Sequence, residues 1–341
     1  MRRGPKVPIH VNTEFALHRA QRGDARLRQH ALTVLDKQRS IIDPVWGGIY
    51  QYSVAPDWVH PHFEKLIDLN AGALADYAAA YTLTKDERWL RSARDIDRYL
   101  RAFMLGPDGQ FYGTQDADLN AHERGKPFVD GRDYYRLGDQ ERRKLGIPRV
   151  DTNEYAKDSA FAISAYVALY EATGDAAALA IARRARERVA KAHAAPRGGV
   201  THEIQTAEPR VLHLADNAAF GYALVRLHDV DKDAATLEAA KRIATFAVTE
   251  LFDAKEGGFF AHTEDPDAVG IFRLRRKPFT ENITMLRFLC KLQKKAPEPA
   301  YAKALDKSVR YWTDPERIKS AGRFIGDYMS LIDEIFARAK D

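Results

Sequence analysis

The chain has 341 residues, of which 45% are hydrophobic and 30% charged, enough to bury a core as one large domain or two ordinary ones. It has 53 Lys and Arg against 48 Asp and Glu, a net charge of +5, and no element combines clustered basic residues with aromatic ones, which argues against a nucleic-acid-binding protein. The single cysteine, Cys290, excludes a disulfide framework, a CxxC redox pair and a zinc–thiolate site.

Helical patterns recur along the whole chain, whereas strand patterns are scarce. The first helical stretch, 14–38, contains a break at Gly23-Asp24, and the second covers 65–83 with apolar residues at spacings of three and four. Further helices are predicted at 86–105, 154–173, 175–194, 214–229, 233–252, 281–295, 298–313 and 324–339. The pattern predicts an all-α protein.

Two kinds of break recur between these helices. Short polar breaks such as Lys85-Asp86 separate the two helices of a pair, and a glycine followed by an apolar residue comes after each pair. The glycine motifs are GGI (47–49), GQF (109–111), GGV (198–200) and GGF (257–259), and the last glycines of successive motifs are 61, 90 and 59 residues apart. This spacing predicts units of about 60 residues, each a helix hairpin with a glycine turn, and an insertion of about 30 residues within 119–150.

Repeated helix hairpins either stack as an open solenoid or close into a toroid. Aromatic and acidic loops recur at one end of the units, and no hairpin has the character of a cap, which favours an (α/α) toroid. We expect a single domain over 1–341, with 1–13 as a disordered or extended arm. With ten or eleven helices predicted, a ring of six hairpins would be complete only if the N-terminal stretch supplies two helices.

The densest group of chemically active side chains lies between Asp43 and Asn70, in the sequence DPVWGGIYQYSVAPDWVHPHFEKLIDLN. Loops of this composition carry binding groups that the scaffold positions. The alternative is that the tryptophans close the mouth of the barrel and the histidines cap the helix. The candidates in this segment are Trp46, Tyr52, Trp58, His60, His62, Glu64 and Asn70.

The spacing of His60, His62 and Glu64 also resembles a set of metal ligands, because alternate residues of an extended segment share a face. Pro61 favours an extended backbone before it, but the segment from Phe63 onward is predicted to be helical, which turns Glu64 away. We therefore expect no metal or other cofactor, and a metal-dependent enzyme stays an alternative reading.

A second group of candidates lies in the loop GQFYGTQDAD, 109–118. Asp116 and Asp118 would share a face of an extended loop, and their repulsion can raise one pKa toward the range of a general acid. The alternative is an Asx turn or a helix cap. An inverting glycosidase needs carboxyl groups about 6.5–9.5 Å apart on opposite sides of the bond, so Glu64 or Asp151 would be the better complement to either residue.

The remaining candidates begin helices or follow glycine turns, at corresponding places in the repeat. Each acid among them could be a plain helix cap. Repeated hairpins would nevertheless bring them together around one mouth. They are Asp151, His202, Asp216 and Glu281, and Tyr112 adds an aromatic ring in the second loop.

These motifs resemble the helical region of the YyaL-like, spermatogenesis-associated thioredoxin-domain family. The similarity is carried by GGIYQYS, DWVHPHFEKL, LNAGALADYAAAY and FYGTQDAD and extends in weaker form over roughly 40–335. It implies a six-hairpin glycosidase-like (α/α) toroid similar to sugar 2-epimerases, with PHFEK at 61–65 and Asp116 and Asp118 at matching positions. His60 and the pair Lys157-Asp158 depart from the pattern of the family.

The resemblance implies a small sugar or glycoside as the ligand. In an epimerase or isomerase, His62 and His202 would exchange a proton at the carbon beside the carbonyl. Glu64 and Asp116 would orient or polarise these histidines. In an inverting hydrolase, Asp116 or Asp118 would be the acid and a distant carboxylate the base. In either enzyme, aromatic residues would stack on sugar faces.

A third reading is a non-catalytic binding or scaffold module. Relatives carry a thioredoxin-like domain upstream, whereas this chain begins almost directly with the helical region and has one cysteine. A redox role would therefore need a separate thioredoxin-like partner. The N-terminal sequence has no apolar segment typical of a secretory signal, and no stretch reaches the ~18 apolar residues of a membrane span, so we expect a cytoplasmic protein without a membrane partner.

Overall fold

The structure is a computed structural model that describes residues 4–204 and 209–338. Contacts between residues divide the chain into two compact units. Unit 1 comprises residues 1–154 and 168–181, and unit 2 comprises 155–167 and 182–341. That the chain acts as one domain stays a prediction, and each unit is described by itself below.

Unit 1 contains six helices and five short strands among its described residues. The helices are α1 (His10–Gln21), α2 (Ala25–Gln38), α3 (Ile67–Thr84), α4 (Glu87–Tyr99), α5 (Gly131–Tyr135) and α6 (Asp139–Leu145). The strands are β1 (Tyr52–Ser53), β2 (Pro61–His62), β3 (Lys65–Leu66), β4 (Tyr112–Gln115) and β5 (Val150–Glu154). Strands β1 and β2 form a hairpin, and β3, β4 and β5 form an antiparallel sheet.

The boundary between the units falls within α7 (Ala156–Thr173) and α8 (Ala176–Ala192). Unit 2 continues with α9 (Leu214–Asp231), α10 (Ala234–Phe246), α11 (Phe279–Gln293), α12 (Pro299–Trp312), α13 (Pro315–Ile318) and α14 (Gly326–Arg338). A π-helical turn extends α4 to Met104 and α10 to Leu251. No helix in 4–204 or 209–338 is both long and apolar enough to cross a bilayer.

The predicted helices correspond closely to the observed ones. The N-terminal stretch supplies two helices, α1 and α2, as a ring of six hairpins would require, although α1 begins at His10, inside the arm expected over 1–13. Within the described ranges, eleven helices have twelve or more residues, which gives five sequential pairs and α14. The expected insertion contains α5 and α6, which periodicity missed because each is at most two turns long.

Four of the turns between paired helices share one design. A residue with positive φ ends the first helix, at Gly23, Lys85, Gly174 or Lys232. The next residue is an aspartate whose carboxylate accepts a backbone N–H of the following helix, as Asp86 does from Arg88 and Asp233 from Ala235. A left-handed residue stops a helix and an aspartate N-cap starts one, which is why this residue pair marks the hairpin turns in the sequence.

The glycine motifs are held by a buried asparagine in the next helix. Asn70, the fourth residue of α3, accepts the N–H of Ile49 at 2.7 Å and donates to its carbonyl at 3.1 Å. In unit 2, Asn217 binds Val200 and Asn282 binds Phe259 through the same pair of hydrogen bonds. A side chain at Gly199 would meet the Asn217 amide oxygen at 2.8 Å, so the second glycine leaves room for this asparagine clasp.

Replacing Asn217 with alanine is expected to lower the free energy of unfolding by about 2–3 kcal/mol, because the buried N–H and carbonyl of Val200 would lose their partners. Chemical denaturation measures the change. The exposed Asn153→Ala should change stability by less than about 0.5 kcal/mol. Equal effects at both positions would show that the asparagine clasp contributes nothing specific.

A buried ionic cluster joins the insertion to the first glycine turn of unit 1. Lys65 Nζ lies 2.9 Å from a carboxylate oxygen of Asp43, and Arg142 Nη1 lies 2.7 Å from the same oxygen; the side chains are fully buried. Burial would raise the pKa of Asp43, but the charge of Lys65 and the hydrogen bonds from Arg142 outweigh it and hold that pKa below its usual value. Burial lowers the pKa of Lys65 to about 8.

Candidate functional site

The strongest group of proton-transfer residues in unit 2 is centred on His202. Its Nδ1 lies 3.1 Å from Asp216, a fully buried carboxylate in the first turn of α9. Asp216 also accepts the backbone N–H of Lys157 at 3.1 Å, which fixes the carboxylate against the start of α7. The His202 ring stacks on Tyr155 with centroids 4.7 Å apart. Because Nδ1 is bonded to the carboxylate, Nε2 is the nitrogen that can exchange a proton with a ligand.

Two further histidines continue this group. The ring centroid of His213 lies 6.0 Å from that of His202, and the centroid of His262 lies 6.4 Å from that of His213. A backbone bridge between 213 and 262 fixes the second distance. His262 donates from Nδ1 to the carbonyl of Thr263 at 2.7 Å, so its Nε2 is an acceptor when the ring is neutral. We call His202, His213 and His262 the histidine row.

The first two members of the histidine row are driven toward opposite protonation states. The hydrogen bond to Asp216 raises the pKa of His202, while burial lowers the pKa of His213. This arrangement favours the imidazolium form at His202 and the neutral imidazole at His213. A pair of titratable groups with pKa values pushed apart by their surroundings is the usual form of a catalytic acid and base.

Unit 1 brings together three other candidates at the base of the β1–β2 hairpin. Tyr52 pairs with His62 in register, and the two rings stack with centroids 5.1 Å apart. His62 Nε2 lies 3.7 Å from a carboxylate oxygen of Glu64. All three side chains are partly open to solvent, so this cluster can contact a ligand.

Other candidates of the first segment have partners within the protein. His60 lies 2.6 Å from Asp57 in the hairpin, and Asn70 forms the asparagine clasp. Trp46 is 4% exposed, donates from its indole N–H to Asp139 at 2.7 Å and packs on Phe103. Packing and backbone support therefore account for the environments of Asn70 and Trp46, whereas Trp58 is half-buried at the hairpin tip.

The carboxylates of the second loop are also engaged. Asp118 accepts the N–H of Gly131 at 2.6 Å and so supports the start of α5. Asp116 is 3.3 Å from Arg149 Nε, and Asp151 accepts the side-chain amide of Asn153 at 2.7 Å. These contacts favour the turn and helix-cap roles for the aspartates over an exposed pair of catalytic acids.

The last two candidates lie near the starts of elements: Glu281 in a helix, as predicted, and Tyr112 in a strand in place of the predicted loop. Tyr112 begins β4 and pairs in register with Glu154, and Glu281 is the half-buried third residue of α11. His62 and His202 belong to different units. In the part of the chain that the structure describes, no group of three or more His, Cys, Asp or Glu side chains could hold a metal ion.

Sequence reasoning missed His213, His262 and Tyr155. The bridge between 213 and 262 joins residues 49 positions apart, and local spacing carries no signal for such a pair. The sequence did contain a usable signal for two of them, because Tyr155 and His213 each immediately precede a helix.

Comparison with known proteins gives partial sequence matches and a broad structural one. No family model matches the chain. Spermatogenesis-associated protein 20 of Homo sapiens is 32% identical over 137 residues, which is 38% of this chain and 17% of that protein. The predicted resemblance is confirmed. Cellobiose 2-epimerase of Eubacterium cellulosolvens is 28% identical over 145 residues, 42% of this chain and 29% of that enzyme, so each match spans less than a third of the relative.

The structural match covers most of the chain. The structure of cellobiose 2-epimerase from Bacillus thermoamylovorans aligns with 91% of this chain and 76% of its own, with a TM-score of 0.71 at 9% identity. At this identity the likeness establishes the fold alone. It confirms the predicted fold class, an all-α (α/α) toroid of the six-hairpin glycosidase-like type.

Proposed function

We propose that this protein is a carbohydrate-active enzyme that moves a proton on a small sugar, as an epimerase or isomerase does. The observation that carries the proposal is the pairing of His202, bonded to Asp216, with His213, whose pKa is displaced in the opposite direction. Proteins similar to this chain include one named cellobiose 2-epimerase, which supports the same substrate class.

In this proposal the neutral His213 removes the proton from the carbon next to the sugar carbonyl. The C–H electron pair forms the enediol double bond as the carbonyl oxygen takes a proton from the imidazolium of His202. His213 then returns a proton to one of the two carbons while an enediol hydroxyl gives its proton back to His202, which regenerates a carbonyl sugar and the starting charges. Positioned acid–base groups of this kind contribute about 10²–10⁴ in rate.

The β1–β2 hairpin of unit 1 carries further groups suited to a sugar. Tyr52 offers a ring for an apolar sugar face, and the neighbouring His62 and Glu64 offer hydrogen bonds to hydroxyl groups. His62 stays a proposed proton-transfer residue as well. An inverting hydrolase is less favoured, because Asp116 and Asp118 are engaged with Arg149 and Gly131. A separate thioredoxin-like partner also stays a prediction.

Solvent exchange tests the reaction type. The protein would be incubated in D₂O with D-glucose, D-mannose, D-fructose and cellobiose, and the products analysed by NMR and mass spectrometry. Deuterium at C1 or C2, together with a ketose or an epimer, is the expected result. Release of monosaccharides from cellobiose without exchange would instead support the hydrolase, and absence of both on a wider sugar panel would contradict the proposal.

Replacing Asp216 with asparagine is expected to shift the pH profile. The carboxylate stabilises the imidazolium and raises the pKa of His202. Removing the carboxylate should lower that pKa, so that His202 stays protonated over a narrower pH range. The limb of kcat governed by the acid form should therefore move to lower pH. A profile of kcat against pH measures this, and an unchanged limb would remove His202 as the titrating acid.

A further inference from the structure

The tip of the β1–β2 hairpin, residues 54–60, holds a tryptophan in an unfavourable backbone conformation. Trp58 has φ of +67°, in the left-handed region. This region is rare for residues other than glycine, and for a bulky side chain it marks strain. The three other described non-glycine residues with positive φ have ordinary explanations. Lys85 and Lys232 end helices, and Asn120 is of a residue type that tolerates this region.

Asp57 organises the backbone around Trp58. Its carboxylate accepts the N–H of Val59 at 3.0 Å, accepts the hydroxyl of Ser53 at 3.2 Å and lies 2.6 Å from His60 Nδ1. The N–H of Val54 donates to the carbonyl of His60 at 2.8 Å and closes the hairpin beneath the tip. These bonds surround the strained residue on both sides, so the tip is held in this shape by specific contacts.

The indole of Trp58 is also the most accessible one in the protein. The chain has four tryptophans, and the other three are buried, with exposures of 4%, 0% and 3% at Trp46, Trp89 and Trp312. Trp58 is half-buried, and Val54 and Val59 beside it are 51% and 57% exposed. The indole N–H of Trp46 is already bonded to Asp139, whereas Trp58 occupies a hairpin whose base carries Tyr52 and His62.

We propose that the hairpin tip presents Trp58 as a stacking surface for a sugar ring, with Asp57 and His60 as positioning residues. This inference rests on the proposed function and names an element of unit 1 that recognises the same class of ligand. A pyranose ring has an apolar face and polar edges, and the tip offers an aromatic face beside a carboxylate and an imidazole. The strain at Trp58 is then retained because the conformation serves binding, as strained residues at ligand sites do.

The first experiment measures binding without turnover. Because three tryptophans are buried, quenching by iodide reports on Trp58. We expect D-mannose or cellobiose to protect the fluorescence of the wild-type protein from iodide, and Trp58→Gly to weaken binding of the same sugar by about tenfold or more in calorimetry. Trp58→Phe, which keeps a ring, should fall between the two.

The second measurement separates binding from folding. Glycine adopts positive φ without strain, so Trp58→Gly should melt at or above the wild-type temperature while it binds sugar more weakly. Asp57→Ala should weaken sugar binding in calorimetry by about threefold or more while the melting temperature stays close to that of the wild type, which a general loss of structure would not do.

The outcomes distinguish this inference from the proposed function. A sugar that binds and protects Trp58 but undergoes no exchange in D₂O would support the stacking surface and contradict the enzymatic proposal. Exchange in D₂O by the wild-type protein, together with unchanged sugar binding in Trp58→Gly, would do the reverse. Sugar binding without protection of Trp58, failure of every tested sugar to bind, or binding of a protein partner at Val54 and Val59 in its place would each overturn the stacking surface.

Discussion

Replacing Asp43 with alanine is expected to lower the free energy of unfolding by about 3–5 kcal/mol. The change would leave Lys65 and Arg142 buried without their shared anion, and both side chains are fully buried in the folded protein. The attraction within such a cluster does little more than offset the loss of solvation, so removal of one partner costs much more than the cluster contributes. Urea denaturation followed by circular dichroism measures the change.

Unit 2 offers a matched control for this experiment. Asp253 occupies the corresponding position in its glycine turn and pairs with Lys277 at 2.7 Å. Asp253 is 14% exposed, and Lys277 has a second acid, Glu256, at 3.4 Å. Asp253→Ala should therefore cost only about 1–2 kcal/mol. Similar losses at positions 43 and 253 would show that the complete burial of the first cluster is not what makes it sensitive.

Replacing His202 with alanine is expected to lower kcat by about 10²–10⁴ on the sugar identified by deuterium exchange. The variant removes the imidazole that Asp216 orients. Because the His202 side chain is exposed, little packing is lost, and the melting temperature should change little. Steady-state kinetics and a melting curve on the same sample measure the two effects.

A histidine of the same unit serves as the control. His228 lies near the end of α9 and bonds through Nδ1 to the carbonyl of Asp233 at 3.1 Å, at the opposite end of that helix from Asp216. His228→Ala should keep wild-type kcat with a modestly lower melting temperature. If His202→Ala retained more than about a tenth of the wild-type kcat, the acid role of His202 would have to be abandoned.

The helices and their turns could be predicted because their causes are local. The pair Lys85-Asp86 ends one helix and caps the next with its own side chain, so the break is visible in the sequence. The two-residue strands β1, β2 and β3 could not be predicted, because too few residues alternate to give a pattern and each strand depends on its partner.

The candidate residues divide in the same way. Residue type alone pointed to His62, Glu64 and His202, and the structure gives each of them a partner suited to proton transfer or binding. Residue type could not indicate that Asn70 and Trp46 would be buried and bonded to residues 21 and 93 positions away in the chain. Whether a polar side chain serves the backbone or a ligand depends on such distant contacts.

The sequence by itself determined the helical hairpins, their repeat of about 60 residues and the resemblance to the spermatogenesis-associated proteins, because helix periodicity, caps and motifs are read within a few neighbouring residues. The tertiary structure decided that Asp43, Lys65 and Arg142 share one buried site and that His202 stands beside His213. Burial and the distances between groups far apart in the chain set pKa values and free energies, and both arise only when the chain has folded.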